Sequence, residues 1–373
     1  MEINRFLKAL DIVFFTGVPD SHLKALSSYL MDVYGEDPAH HIISSNEGNA
    51  IAIATGYYLA TGKVPAVYMQ NSGEGNIINP LASLLSEKVY AIPCILVIGW
   101  RGEPRVHDEP QHIFQGEVTC RLLEDMGVQY HIVGTETTPE EIEKVMRRFR
   151  GTLAEGKQVA FVIRKGGLEY KGAKAEYRNK HLLTREDAIR QIVEISKEDP
   201  IVCTTGKASR ELFEIRESLG QGHSHDFLTV GSMGHASSIA LGIVLQKPDK
   251  TIWCIDGDGA VLMHMGAIAV IGKAAPENLI HVVINNEAHE SVGGMPTAAD
   301  TTDLCGVATA CGYRYCTTVE GVAALQGELG KIRTKKGPVF LEVKCAIGSR
   351  EDLGRPTSTP RQNKGEFMGV LNN

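Results

Sequence analysis

The sequence predicts an α/β protein of two doubly wound domains, each built on a largely parallel sheet. Three observations carry this expectation. Apolar runs of strand length alternate with longer helix-patterned segments, which is how βα units read in sequence. The alternation stops over residues 165–180, rich in Gly, Lys, Glu and Tyr and expected to be a solvated connector, and then restarts. The 373 residues also exceed the roughly 250–300 that one core supports. The expected boundaries are therefore 1–165 for the first domain, 166–182 for a linker and 183–373 for the second.

In the first domain the expected strands are Ile12–Phe15, His41–Ser44, Ala66–Met69, Cys94–Ile98 and Val159–Ile163. A helix should open at Thr138-Pro139-Glu140-Glu141, where an N-cap residue meets a first-turn proline. In the second domain Thr184 and Asp187 stand at capping spacing before a helix. The expected strands there are Ile201–Thr204, Phe227–Val230, Thr251–Ile255, Leu279–Ile284 and Val339–Val343. From Gly348 onward the chain is polar and contains proline, and is expected to be loosely held.

Composition excludes several function classes. Hydrophobic residues make up 43% and charged residues 22%, as in ordinary globular proteins. A net charge of −7 without a basic stripe argues against nucleic acid. No apolar run approaches the ~20 residues that span a bilayer, so no membrane partner is expected. Met1 to Gly17 carries Glu2, Lys8 and Asp11 through its apolar stretch, unlike an export signal. Eight scattered cysteines without a C-x-x-C pair suggest reduced thiols and a cytoplasmic location.

Two motifs fall at carboxyl ends of expected strands, the edge where open α/β sheets bind ligands. Gly257-Asp258-Gly259 follows Thr251–Ile255, and Asn285-Asn286 follows Leu279–Ile284. A carboxylate, an amide oxygen and a main-chain carbonyl are hard oxygen ligands that suit Mg²⁺ and leave positions for diphosphate. Glycines allow close approach of phosphate, and N–H donors at Gly259 and Ala260 open a helix. Taken alone, Gly-Asp-Gly also reads as a plain strand-to-helix turn. Rival phosphate motifs fail. A G-x-G-x-x-G fingerprint needs glycine where Leu262 stands, and a P-loop ending at Gly206-Lys207 needs glycine at Ile201 and a hydroxyl residue at Ala208.

The paired motifs at this interval resemble those of the thiamine diphosphate enzymes. That resemblance implies a metal site of Asp258, Asn286 and the Ala288 carbonyl, with Gly257, Asp258, Gly259, Ala260 and Asn286 holding the diphosphate. The segment NEGNA at 46–50, after the strand His41–Ser44, is similar to the family's pyrimidine-side motif. Glu47 then becomes the acid that activates the cofactor, although it also reads as a first-turn acid favoured by the helix dipole. A desolvated carboxyl beside pyrimidine N1′ suits that task. GSMG at 231–234 corresponds to the family's bend, with Met233 as apolar wedge and the Gly231 carbonyl facing the 4′-amino group. The first domain would bind the pyrimidine and the second the diphosphate and Mg²⁺.

The resemblance spans roughly residues 10–350 and lacks the middle domain of larger family members. Compact members include phosphonopyruvate and sulfopyruvate decarboxylases. MQNSG at 69–73, HDEPQH at 107–112, TGKASR at 205–210 and HESVGG at 289–294 look most like the phosphonopyruvate group. Decarboxylation of phosphonopyruvate to phosphonoacetaldehyde in phosphonate biosynthesis is the expected activity. Alternatives are sulfopyruvate decarboxylation, a carboligase using the same cofactor, or a noncatalytic cofactor-binding scaffold. Ser21, Asn71 and Ser72 match places where relatives contact substrate, and His112 matches an active-site histidine. Ser21 also reads as an N-cap and His112 as a surface histidine. Lys207 and Arg210, three apart at a helix start, are expected to take the phosphonate, against the alternative of solvated surface charge. Zinc at His107 and His112 is not expected, because no third ligand accompanies them. Family members assemble as homo-oligomers with active sites between subunits, which is expected here by resemblance alone.

Overall fold

The computed structural model describes residues 1–172, 177–292 and 294–372. The chain divides into two compact units, Met1–Glu176 with Val292–Met295, and Tyr177–Ser291 with Pro296–Asn373. Each is α/β around a six-stranded, all-parallel sheet, and no third unit is present among the described residues.

The first sheet consists of β1 (Phe15–Gly17), β2 (His41–Ile43), β3 (Ala66–Gln70), β4 (Cys94–Gly99), β5 (Gln129–Val133) and β6 (Gln158–Ile163), in the order β2-β1-β3-β4-β6-β5. Helices cover both faces. Along β6, Val159, Phe161 and Ile163 pack on one side with Phe6 and Phe149, while Ala160 and Val162 pack on the other with Ile51 and Leu96. A strand buried on both faces must be apolar throughout, which explains its continuous hydrophobic run. Phe161 meets Phe6 and Phe149 edge-on at 5.2 and 5.4 Å between centroids. Its truncation to alanine should cost about 3–5 kcal/mol.

The second sheet holds β7 (Ile201–Cys203), β8 (Asp226–Leu228), β9 (Ile252–Gly257), β10 (Leu279–Asn285), β13 (Tyr315–Glu320) and β14 (Val339–Lys344), in the order β13-β14-β10-β9-β7-β8. Between β10 and β13 lie the two short strands β11 (Ala288–His289) and β12 (Met295–Pro296). One face of the sheet buries Trp253, Ile255, Val282 and Leu341, and the other Ile252, Cys254, Val283 and Phe340. The switch points, where strand order reverses, lie at β1/β3 and at β7/β9, so each sheet has a crevice at its carboxyl edge.

The expected strands are present with shifts of one to three residues at their ends, and the helix starts at Thr138 and Thr184 are capped through Glu141 N and Asp187 N. Three differences have physical reasons. Strands β5 and β13 were not expected; both are outermost in their sheets and half-exposed, so they lack the apolar run of a central strand. The tail is not loose. A helix at Pro360–Asn372 buries Phe367, and Asn363 accepts from Leu228 N at 3.0 Å and donates to Asp226 O at 2.7 Å, closing the β8 edge. The start of the connector is not solvated either. Ile3 N donates to Glu169 O and Glu169 N to Met1 O, both at 2.8 Å, and Leu168 is buried. Residues 173–176 of that connector lie outside the described residues.

Candidate active site

In the first unit the carboxyl edge gathers segments that follow β1, β2, β3 and β4. Glu47 opens the helix Glu47–Thr61, and the Asn46 side chain caps it by accepting from Gly48 N at 2.8 Å. A first-turn acid is favoured by the helix dipole. Glu47 is nevertheless only 5% exposed, and burial pushes its carboxyl above the usual range, opposed by a hydrogen bond from Asn76. Asn76 Nδ2 donates to Glu47 Oε2 at 2.7 Å. On its other side Gly73 packs so closely that a β-carbon there would lie 2.5 Å from Glu47 Oε1. A side chain there would push the Glu47 carboxyl from its seat. The result is a desolvated carboxyl inclined to keep its proton, the property an activating acid requires.

Asn71 is not free to contact a substrate, contrary to expectation. Its Nδ2 donates to Arg101 O at 2.8 Å and Thr119 Oγ1 at 2.9 Å, and its Oδ1 accepts from Arg101 N at 3.1 Å. It is fully buried and ties the turn after β3 to the segment after β4. Ser72 is exposed and donates to Gln70 Oε1 at 2.8 Å. Ser21 accepts from Arg101 Nη1 at 3.2 Å. Arg101 also clasps Asp108 through Nε, at 2.8 Å, and Nη2. Burial of Asp108 is outweighed by that hydrogen bond, which holds its carboxyl down to about 2. His112 lies in the first turn of the helix Pro110–Asp125. Burial, with the Arg101 charge nearby, lowers its imidazole to about 4, so it is neutral at pH 7. Arg101 had no motif to mark it in the sequence; only its place just past β4 hints at a site role.

In the second unit, Asp258 begins the short helix Asp258–Met263 directly after β9. It is buried, and burial raises its carboxyl to about 6, opposed by the Thr297 hydroxyl, which donates to Asp258 Oδ2 at 2.5 Å. Gly257 faces open space, with nothing within 4 Å of a β-carbon placed on it. Asn286 follows β10, and its Oδ1 accepts from Ala288 N at 3.2 Å. Glu287 between them has φ +61°, a left-handed turn that brings Ala288 back beside the amide. A buried carboxylate, an amide oxygen and a peptide carbonyl beside open space form a hard oxygen set, which fits Mg²⁺ and a diphosphate.

Met233 sits between two left-handed residues, Ser232 at φ +58° and Gly234 at φ +85°. A β-carbon on Gly234 would strike His264 Cδ2 at 2.6 Å and Ala260 O at 2.8 Å. This turn brings the Met233 methyl and the His289 ring to 3.3 Å of a β-carbon placed on Gly259. His289 is buried, and its imidazole is lowered to about 4 by that burial. The two cations expected together diverge. Lys207 Nζ donates to Glu290 Oε1 at 2.6 Å and stays partly exposed. Arg210 instead donates through Nε to Gly354 O at 2.5 Å and through Nη2 to Leu353 O. Its guanidinium secures that segment and does not accompany Lys207. Glu290, which sequence reasoning missed, also accepts from Arg185 Nη1 at 2.7 Å and Asn286 Nδ2 at 3.0 Å.

Among the described residues one more set of ligating groups exists, Cys254, Asp256 and His281, all fully buried within the second core. His281 Nδ1 lies 3.1 Å from the Tyr313 hydroxyl and Nε2 lies 3.6 Å from Asp256 Oδ2, consistent with a buried polar pair.

Comparison with known proteins gives a consistent picture. Residues 2–127 match the thiamine pyrophosphate enzyme N-terminal TPP binding domain, and residues 204–343 the C-terminal TPP binding domain. The chain is 33% identical to a phosphonopyruvate decarboxylase of Streptomyces viridochromogenes, over 98% of this chain and 93% of that protein. It is 32% identical to the phosphonopyruvate decarboxylase of Streptomyces hygroscopicus, over 95% and 90%. A sulfopyruvate decarboxylase of Methanosarcina acetivorans is 28% identical, over 97% and 96%.

Proposed function

The chain belongs to the thiamine pyrophosphate enzymes, and from that premise we propose that it is a carboxy-lyase converting phosphonopyruvate to phosphonoacetaldehyde and carbon dioxide in phosphonate biosynthesis. The observation that carries the chemistry is Glu47, a buried carboxyl that burial pushes above the usual carboxyl range, at a strand-end crevice on the same chain as the Asp258 and Asn286 oxygen set. Near full-length similarity to two phosphonopyruvate decarboxylases, with lower identity to a sulfopyruvate enzyme, supports the substrate.

Thiamine diphosphate, when bound, supplies a thiazolium carbon that adds to the keto carbon and takes up the electrons released as carbon dioxide leaves. The protein's part is to bind, orient and move protons. Asp258, Asn286 and the Ala288 carbonyl would hold Mg²⁺, and the turn Gly257 to Ala260 would take the diphosphate. Met233 would give the cofactor an apolar contact, and the Gly231 carbonyl would accept from its 4′-amino group. Glu47 would hold its proton at pyrimidine N1′, the acid-base assistance that the bound cofactor needs. Neutral His112 gives a donor or acceptor at the substrate end, and Ser21 and Ser72 offer hydroxyls for the carboxylate. Lys207, with two of its three donors beyond the Glu290 contact, takes the phosphonate. We further propose a homo-oligomer whose active sites are completed between subunits, working in the cytoplasm. Eight free thiols suit a reducing compartment, and no described helix is long and apolar enough to cross a membrane.

The test is a panel of phosphonopyruvate, sulfopyruvate and pyruvate offered to the chain with thiamine diphosphate and Mg²⁺, with products identified by NMR. Phosphonoacetaldehyde should form with the highest kcat/KM. Faster turnover of sulfopyruvate would reassign the substrate, and a coupled carbon skeleton in place of a free aldehyde would reassign the reaction to carboligation.

A further inference from the structure

Glu74 is a second buried acid of the first unit, and none of the chemistry above uses it. It is 1% exposed, its Oε1 has no hydrogen-bond partner, and its Oε2 accepts only from Gln115 Nε2, at 3.2 Å. The same Gln115 Nε2 donates to Asn71 O at 2.9 Å. One turn further along the helix Pro110–Asp125, Thr119 Oγ1 donates to Gln115 O at 2.7 Å and accepts from Asn71 Nδ2. Glu74 therefore stands where that helix, which carries His112, is stitched to the turn Asn71–Gly73.

Its place in the chain links it to Glu47 from both sides. Gly73, immediately before it, is the residue pressed against Glu47 Oε1. Asn76, two residues after it in the helix Glu74–Pro80, is the donor to Glu47 Oε2. Whatever fixes Glu74 fixes both neighbours of the Glu47 carboxyl. We infer that Glu74 is a positioning residue held as a neutral acid, clamping the helix Pro110–Asp125 onto the Asn71–Gly73 turn and so setting the seat of Glu47.

The chemistry of the pocket requires the neutral form. An ionised carboxylate would bury a charged oxygen without a donor, which is costly in a desolvated site. Burial raises the Glu74 carboxyl to about 8, opposed by the nearby Thr119 hydroxyl and by the Gln115 hydrogen bond. No cation is among the groups that set its ionisation. The titratable groups facing it are Glu47, across Gly73, and the Cys120 thiol on the opposing helix, itself raised by burial and in part by the Glu74 charge. Arg101, a cation at this edge, is clasped by Asp108. The functional half of the inference rests on Glu47 as activating acid; the structural half does not.

The sign follows from linkage. The closed fold keeps the Glu74 proton up to about 8, whereas an exposed glutamate loses it near the ordinary 4.5. Between those values every rise in pH favours the opened state, by about tenfold per pH unit, and the effect levels off above 8. Backbone amide exchange of residues 71–80 and 110–125 in the full chain, without substrate and corrected for intrinsic rates, reads this directly. Wild type should lose protection relative to Glu74→Gln by roughly tenfold per unit between pH 5.5 and 7.5. Parallel profiles would overturn the clamp. If Glu74→Gln does not fold, Glu74→Leu carries the same comparison, because it too removes the titration. For the link to Glu47, wild-type kcat should fall above pH 8 while Glu74→Gln, active within about fivefold at pH 7, should hold its rate there. An alkaline fall shared by both proteins would sever that link, and it would leave the exchange result standing.

Discussion

Replacing Glu290 by glutamine removes the one carboxylate that receives Arg185, Lys207 and Asn286 together. Glutamine keeps the shape but offers a single acceptor oxygen, so at least one of the three donors must face an amide N–H₂. Removing one partner of a buried ion pair costs ~3–5 kcal/mol. Arg185 retains its two-point contact with Glu211, at 2.6 and 2.8 Å, and Lys207 reaches water, which places the expected loss near about 3 kcal/mol. For a unit of this size that lowers Tm by roughly 6–12 °C. The Asn286 amide also loses the acceptor that helps keep its Oδ1 turned toward the Ala288 N–H, so Mg²⁺ affinity should fall about 10–100-fold. Scanning calorimetry gives the first number, and isothermal titration of Mg²⁺ with thiamine diphosphate present gives the second. A Tm within about 2 °C of wild type together with unchanged Mg²⁺ affinity would refute the reasoning.

The other variants separate roles that the sequence motifs merge. Asp258→Ala should weaken Mg²⁺ and thiamine diphosphate binding together, since each supports the other through the metal; calorimetry showing unchanged cofactor affinity would remove Asp258 from the ligand set. Lys207→Ala should lower kcat/KM for phosphonopyruvate by roughly 10–150-fold, the scale of one charge-assisted hydrogen bond, and cost pyruvate much less. Arg210→Ala should leave that ratio alone and instead increase proteolysis near 353–354, where its guanidinium now holds two carbonyls. Stability should also carry the Glu47 signature. A carboxyl raised in the folded state binds its proton there more tightly than in the unfolded chain, so stability falls as pH climbs from the ordinary carboxyl range through the raised value. Denaturant titrations of Glu47→Gln should show a flatter pH dependence than wild type across that window, and identical slopes would contradict the assignment of a raised carboxyl.

The fold class was legible because central parallel strands are buried on both faces and must be apolar from end to end, as Cys94–Gly99 and Leu279–Asn285 are. Edge strands escape that rule. Gln129–Val133 and Tyr315–Glu320 present half-exposed faces and carry no continuous apolar run to mark them as strands. The closing helix Pro360–Asn372 was illegible for a related reason: its docking depends on Asn363 and Phe367, two side chains in an otherwise polar segment. At the candidate site, residues inside contiguous motifs could be placed at strand ends from spacing alone. Their partners could not, since Asn76, Thr297 and Glu290 reach Glu47, Asp258 and Asn286 only through the folded chain. Asn71 and Arg210 show the opposite error. Each has the residue type expected of a substrate contact, but its polar atoms are committed to backbone and side-chain partners that no local pattern reveals.

The central claim is that this chain activates thiamine diphosphate through the Glu47 carboxyl. Hydrogen-deuterium exchange at C2 of the bound cofactor, followed by rapid acid quench and NMR, tests it most directly. Glu47→Gln should bind thiamine diphosphate and Mg²⁺ as wild type does yet exchange about 10²–10⁴-fold more slowly, the usual scale of general acid-base assistance. Exchange at the wild-type rate in a variant with full cofactor occupancy would contradict the account.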